Sequence, residues 1–390
     1  MKIAMFTDHF YPELGGIQDS VAILSRALGR RGHSVRIVAP RYAAADYRMA
    51  KAGRSDGDLG NNVRVERRES LPFPSSTRQS RAALPSPVRW VGLGRGERPD
   101  LIHVHSFFGV GLEALWSAAA LKLPIIGTNH WTVAGFAPFL PVGAAWAARY
   151  VGWFYDRCDF VTAPSHSVFA DLGRRGTRRP HRVVSNPIDT ETFAPATGDD
   201  RARLRAEFGL GAPTVTFAGR LGAEKNIDVL LHALARLEGV ELALAGHGAH
   251  EPRLRALAAT LGIAARVRFL GTLSPARLAD LLRASDVFSI MSTSETQSMV
   301  MLQAMATGLP VVAAQSRALP EFVTAETGLL ADPHDPPAIA AALGELLAAP
   351  GRREALGAAA RQLALRHGID SVADIWEELY ANLLRERTVR

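Results

Sequence analysis

Arg220 and Lys225 follow one short apolar stretch, in Phe217-Ala218-Gly219-Arg220-Leu221 through Glu224-Lys225-Asn226. A guanidinium makes planar bidentate contacts and an ammonium supplies a point charge, so the pair suits a phosphate. Two solvated surface cations are the plain alternative. Further on, Ser294 to Ala314 reads SETQSMVMLQAMATGLPVVAA. Glu295 stands in a loop, and Met299, Leu302, Met305 and Ala306 then recur at helical spacing. Thr307-Gly308 closes that helix, and a short apolar strand follows. A helix start offers free N–H groups and a partial positive charge, which favour an anion such as a diphosphate. A carboxylate beside an anion site needs another role, and holding sugar hydroxyls supplies one. A bare helix start with Glu295 solvated in its loop is the alternative.

Other candidates sit at the ends of short strands. Gly15-Gly16 lies between the first strand and an Ile17–Leu28 helix, where glycine lets a backbone approach a phosphate or sugar. A plain tight turn explains it equally well. Gly246-His247-Gly248 ends a later strand, and His247 has no metal partners at ligand spacing. His130 ends a strand in Gly-Thr-Asn-His. His103 and His105 flank Val104 at period two, so both face one side of a strand. They read either as core or rim histidines or as functional ones. Asp56-Gly57-Asp58 lies in a polar, glycine-rich stretch and reads as turn chemistry.

Stepping out to the elements, the first half alternates strands with helical stretches. Strands are expected at Ile3–Thr7, Val35–Ala39, Val63–Glu66, Leu101–His105, Ile125–Thr128, Phe160–Ala163 and Val183–Val184. The second half repeats the pattern at Thr214–Ala218, Leu242–Ala245, Val267–Leu270, Val287–Met291, Pro310–Ala313 and Leu329–Ala331. Such alternation predicts parallel sheets with helices on both faces. Arg67 to Asp100 reads as a long surface excursion and Asn186 to Pro213 as a linker. An amphipathic helix is expected at about Ser371 to Arg387.

With these residues in place, the chain resembles the retaining, nucleotide-sugar-dependent glycosyltransferases of the GT-B architecture, the family 4-like group. The pattern F-Y-P-E-L-G-G-I-Q matches that group's first loop, which covers the donor diphosphate. Arg220 and Lys225 match its diphosphate clamp, and His130 a histidine near the donor sugar. Gly246 and Gly248 match a G-x-G at the nucleotide. The group carries Glu, seven residues, Glu, then A-M-A-x-G-x-P-V-V; this chain has Glu295 but Gln303 in the second place. That second carboxylate usually holds the ribose, and Gln303 offers a neutral acceptor instead. Asn186-Pro187-Ile188-Asp189 matches the group's N-G-[VI]-D with proline for glycine.

The resemblance implies an α/β fold of two facing Rossmann-like domains: residues 1–190 for the acceptor, 191–370 for the nucleotide sugar, and a 371–390 helix crossing back. Its catalytic set is His130, Arg220, Lys225 and Glu295. Donor contacts fall on Gly15, Gly16, Gly246, Gly248, Thr296, Gln297, Ser298, Met299, Val300 and Gln303. No metal or other cofactor is expected, since Arg220, Lys225 and the helix start take the ion's place. Glu295-Thr296-Gln297 resembles the subgroup that glucosylates diacylglycerol, with Ser298 for its glycine. The expected reaction moves a hexose, from a UDP-sugar first of all, to a membrane lipid hydroxyl. A soluble-acceptor or polysaccharide-building enzyme, with GDP-mannose as a possible donor, and a catalytically weakened sugar-nucleotide-binding protein are the alternatives.

Composition agrees with a globular chain of two domains: 390 residues, 47% hydrophobic. The single Cys158 excludes an intrachain disulfide framework and suits a reducing cytoplasm. The apolar run before Asp8 is too short for a signal peptide. Residues 1–185 carry 25 Lys/Arg against 14 Asp/Glu, net +11; the remaining 20 against 24 give −4. A basic first half predicts an anionic surface as partner, lipid rather than nucleic acid, because no nucleic-acid motif is present. A merely solvated basic surface is the alternative. Trp131 to Ala148 lacks charge, yet Pro138 and Pro141 break it, so it reads as an interfacial element or a packed helix pair, not a membrane span. The expected location is the cytoplasm, peripheral on the inner face of the plasma membrane.

Overall fold

The structure, a computed structural model, describes residues 1–13, 15–49, 58–72, 81–86, 90, 97–132, 143–173, 179–197 and 200–388. The chain forms two compact units, Met1–Pro187 with Ile369–Arg390, and Ile188–Gly368. The first holds β1 (Lys2–Phe6), β2 (Ser34–Pro40), β3 (Val63–Arg68), β4 (Ser70–Pro72), β5 (Arg81–Ala83), β6 (Leu101–Val104), β7 (Ile125–Thr128), β8 (Phe160–Ala163) and β9 (His181–Val183). Seven of these make one parallel sheet in the order β3-β2-β1-β6-β7-β8-β9. The second unit holds β10 (Thr214–Ala218), β11 (Glu241–Ala245), β12 (Val267–Gly271), β13 (Val287–Ile290), β14 (Val311–Ala314) and β15 (Gly328–Ala331). They form a parallel sheet ordered β12-β11-β10-β13-β14-β15.

Apolar strands buried on both faces are what a parallel sheet under helices requires. Successive side chains split between two cores. Ala4 and Phe6 join Ile102 and Val104 in one; Ile3 and Met5 join Leu101 and Ile126 in the other. The Ile369–Thr388 helix lays Val372, Trp376, Leu379, Tyr380 and Leu383 into the second of these cores. Arg31 fixes its start, donating to Asp370, Asp374 and Glu377. In each sheet the strand order reverses at one place, between β1 and β6 and between β10 and β13. Chain crossings diverge there, which opens a crevice beyond the strands' carboxyl ends.

Two expectations fail. The Arg67–Asp100 stretch is not simply surface. Arg68 is 2% exposed and Trp90 1% exposed, and β4 and β5 form an antiparallel pair. Arg68 grips the fully buried Glu113 through Nε and Nη2 at 2.8–3.1 Å, and Trp90 Nε1 and Ser86 N donate to the same carboxylate. The Asn186–Pro213 stretch is not merely linker. It carries the Asp200–Phe208 helix, with Leu204 and Phe193 buried. Most of Asp56-Gly57-Asp58 and part of Trp131–Ala148 (133–142) lie outside the described residues; Asp58 itself accepts from Gly60 N in a turn. Among the described residues no helix is long and apolar enough to cross a membrane.

Removing one partner of a buried ion pair strands the other charge, at a cost of about 3–5 kcal/mol. Arg68→Ala is therefore expected to lower unfolding stability by that order in urea titration. A loss under about 1 kcal/mol would show that Glu113 is satisfied by Trp90 and Ser86 alone.

Candidate functional site

At the β10–β13 reversal the structure gathers Arg220, Lys225 and Glu295. Lys225 is in a short 3-10 turn, Ala223–Lys225, and its Nζ donates to Glu295 Oε1. The two side chains are only 16% and 13% exposed. Burial works to raise the Glu295 pKa. The charge and hydrogen bond of Lys225, with Ser292 and Arg220, outweigh it and hold the carboxyl below its ordinary value. Glu295 is thus a half-buried, ion-paired carboxylate, not a solvated loop residue. Arg220 is more open and donates to Glu224 Oε1 at 2.8 Å.

The backbone explains why these loops meet. Asn226, at φ 49°, donates from Nδ2 to Met291 O at 2.9 Å, and Thr293 N donates to Glu224 O at 3.2 Å. The loop after β10 is thereby tied to the loop after β13. From the other side it rests on Gly246 and Gly248. A Cβ at Gly246 would stand 1.9 Å from Gly219 O, and one at Gly248 2.2 Å from Leu221 O. Leu221 N also donates to His247 O at 3.0 Å. The G-x-G therefore positions the Arg220 loop by close backbone packing. His247 itself is 79% exposed beside Glu251.

Of the other candidate donor contacts, Gln297 is buried and Thr296 and Val300 are half-buried. The Met299–Ala306 helix follows, capped by Ser298, whose Oγ accepts from Met301 N at 3.4 Å. Ser298 has φ 71°, the left-handed region that glycine occupies freely. Met299 is buried, and half-buried Gln303 lies four residues on, along the same helix face.

The β1–β6 reversal of the first unit carries a different set. Asp8 follows β1 and accepts from Ser106 Oγ at 2.7 Å and from Val110 N at 3.0 Å. Burial raises its pKa. His9 Nδ1 meets Glu13 Oε2 at 2.9 Å, and Tyr42 also donates to Glu13. His130 is 6% exposed, and its Nε2 lies 3.1 Å from His105 Nδ1. His103 bridges Tyr380 OH and Thr128 Oγ1 at 2.8 and 2.7 Å. Burial depresses all three histidines, His130 to about 3 with some help from His9, so they are neutral. Period two placed His103 and His105 on one face, but their partners come from β7 and the last helix, which spacing cannot show. Gly15 caps the Gly16–Arg30 helix in extended backbone, and both glycines are exposed. Among the described residues no three His, Cys, Asp or Glu side chains cluster as metal ligands would.

Residues 14–192 match Glycosyltransferase Family 4, and residues 200–363 match Glycosyl transferases group 1. The chain is 31% identical over 397 aligned positions to a GDP-mannose-dependent alpha-mannosyltransferase of Mycolicibacterium smegmatis, covering all of both. The chain belongs to the family 4-like glycosyltransferases. It is also 28% identical to an alpha-monoglucosyldiacylglycerol synthase of Streptococcus pneumoniae, over 80% of this chain and 71% of that one. The crystal structure of Anabaena HepE with UDP-glucose superposes with a TM-score of 0.78 over 98% of this glycosyltransferase and all of that chain, at 19% identity. At that identity the likeness establishes the fold, GT-B, with its two Rossmann-like units.

Because Glu295 is depressed when folded, its pairing stabilises the protein above the unfolded carboxyl pKa of about 4.3 and is lost as pH falls through the folded value. Glu295→Gln is expected to lose about 1.5–3 kcal/mol at pH 7, the range for a hydrogen bond to a charged group. It should also show a shallower fall in unfolding free energy between about pH 5 and 3. Equal slopes in urea titrations across that range would show that the pair does not form.

Proposed function

We propose that this glycosyltransferase moves a hexose, with retention, from a nucleotide diphosphosugar to a hydroxyl of a membrane lipid. The observation that carries the donor half is the Lys225–Glu295 pair beside Arg220, before a helix start at the β10–β13 reversal. Two cations and free amides meet a diphosphate, and Glu295 meets sugar hydroxyls. The bond from the anomeric carbon to the diphosphate breaks, and Arg220 and Lys225 stabilise the leaving charge. The acceptor oxygen bonds to the same face, and its proton passes to the departing phosphate oxygen. In this reading cationic side chains do the work that a metal ion does elsewhere, and activity survives excess chelator.

The lipid half rests on the Ala144–Tyr155 helix of the first unit. Ala147, Val151 and Phe154 are buried, while Trp146 is 54% and Trp153 42% exposed. The rings of Trp146, Tyr150 and Trp153 stack in series at 5.6 and 5.7 Å. Arg149 is exposed among them, and the Arg157 guanidinium lies 4.2 Å from the Trp153 ring. Aromatic rings with interleaved cations suit an anionic bilayer interface. The alpha-monoglucosyldiacylglycerol synthase relative supports this acceptor class. The likeness of Glu295-Thr296-Gln297 to the diacylglycerol-glucosylating subgroup supports a UDP-sugar as the first reading of the donor. GDP-mannose is the second reading of the donor, favoured by the full-length mannosyltransferase match.

Turnover of UDP-glucose and GDP-mannose on lipid acceptors, with chelator present, tests the chemistry. Arg220→Ala and Lys225→Ala are each expected to lose about 10²-fold or more, as when one oxyanion donor is removed. Wild-type turnover in either variant would falsify the phosphate-clamp assignment. The lipid surface has its own measurement, co-sedimentation with vesicles rich in phosphatidylglycerol. Trp146→Ala/Trp153→Ala should bind severalfold more weakly, and high salt should weaken the wild type. Equal binding by both proteins would remove this helix from the interface.

A further inference from the structure

We infer that His105 is a positioning residue that holds His130 as its Nδ1–H tautomer, making His130 a fixed hydrogen-bond donor. The inference rests on the reading of His130 as a site residue, and the geometry of the first unit carries the rest. His105 Nδ1 and His130 Nε2 lie 3.1 Å apart with ring planes within 20° of each other, so one proton lies between them in the plane of both rings. His105 Nε2 is buried and, among the described residues, has no hydrogen-bond partner. That orphan atom decides the proton's owner.

If His130 Nε2–H donated, a neutral His105 would carry its own proton on Nε2. That N–H would then be buried and unpaired, and orphaned N–H groups are the rarer and costlier defect. If His105 Nδ1–H donates, the orphan is a bare lone pair. A neutral His130 then carries its proton on Nδ1, which among the described residues has no protein partner.

The surroundings hold His105 in that orientation. Its ring packs against His103 at 3.9 Å, tilted by 39°, and His103 is itself pinned between Tyr380 OH and Thr128 Oγ1. Thr128 Oγ1 passes the chain on to Thr162 Oγ1 at 2.7 Å. Trp376 covers His103 at 4.3 Å. The last helix, which returns to the first unit, thus fixes a proton at the end of β7. The chemical consequence is specific. Nδ1–H donates to an oxygen of the ligand, either a sugar hydroxyl oxygen or a phosphoryl oxygen. It cannot take a proton from an acceptor hydroxyl, so His130 is not a general base through that nitrogen.

The test is the long-range ¹H–¹⁵N spectrum of full-length protein with ¹⁵N-labelled histidine, with His130→Gln used to assign one of the 12 histidines. The expected wild-type result is a protonated Nδ1 and a bare Nε2 on His130. A protonated Nε2 in the wild type overturns the inference without any variant. In His105→Phe the His130 signals should shift toward Nε2–H, and kcat should fall about tenfold or more at near-constant KM, as when an orienting partner is removed. His105→Asn, which keeps an N–H donor, should restore much of both. An unchanged His130 tautomer in His105→Phe also overturns the inference. Full turnover in His130→Gln would overturn the site reading instead, while the spectrum of the wild type still decides the tautomer.

Discussion

A half-buried ammonium–carboxylate pair, Lys225 with Glu295, ties together the two loops of the second unit's candidate site. Each charge gives up most of its water, and close geometry compensates. Two loops must therefore be locked together beyond the carboxyl ends of β10 and β13. Asn226 on Met291 O and Thr293 on Glu224 O do this from within. Gly246 and Gly248 do it from beside, because no side chain fits between those backbones. The parallel sheet supplies the place, since its strand order reverses there. Site and fold are one construction: the motif residues that look like ligand contacts are in part the scaffold that holds a charge pair.

The first unit solves the same problem by the opposite route. At its own reversal, charge is removed rather than paired. Burial leaves His103, His105 and His130 neutral and raises the Asp8 carboxyl. His9 is the exception, and there Glu13 stands by as counter-charge, outweighing burial and raising its pKa.

Much of this was legible in the sequence. Short apolar strands of Val, Ile, Leu and Ala between helical stretches located every strand of both parallel sheets, with bounds shifted by one or two residues. That Arg220, Lys225 and Glu295 come together was legible through the family resemblance, because all three stand in short loops after strands. Contacts made across long sequence separations were not. Arg68–Glu113 joins an edge strand to a distant helix, and a lone Arg among Arg67, Arg68 and Glu69 gives no sign of being buried. β4 and β5 are three residues each, too short for periodicity. The Asp200–Phe208 helix buries only Leu204 among charged residues, so it has almost no apolar stripe to read. His105 on His130 joins two strands, and one sequence records no pairing between them.

Two departures from the family pattern, Ser298 and Gln303, fall on one helix, the first at its cap and the second in its body. Ser298 occupies a left-handed conformation that costs a non-glycine residue on the order of 1 kcal/mol. Its Oγ offers only a 3.4 Å contact to Met301 N in return. That strain persists because Gln297 and Met299 on either side are buried and dictate the backbone between them. Gln303 acts on charge. Arg220 with Glu224 and Lys225 with Glu295 already cancel, so these four side chains present no net charge to a diphosphate. A second carboxylate along the Met299 face would tip that local balance negative. A neutral amide keeps it even and leaves the attraction to Arg220, Lys225 and the helix N–H groups. The substitution therefore gives up a strong charged acceptor and in return adds no negative field beside Arg220 and Lys225, which is compatible with the diphosphate seat proposed above.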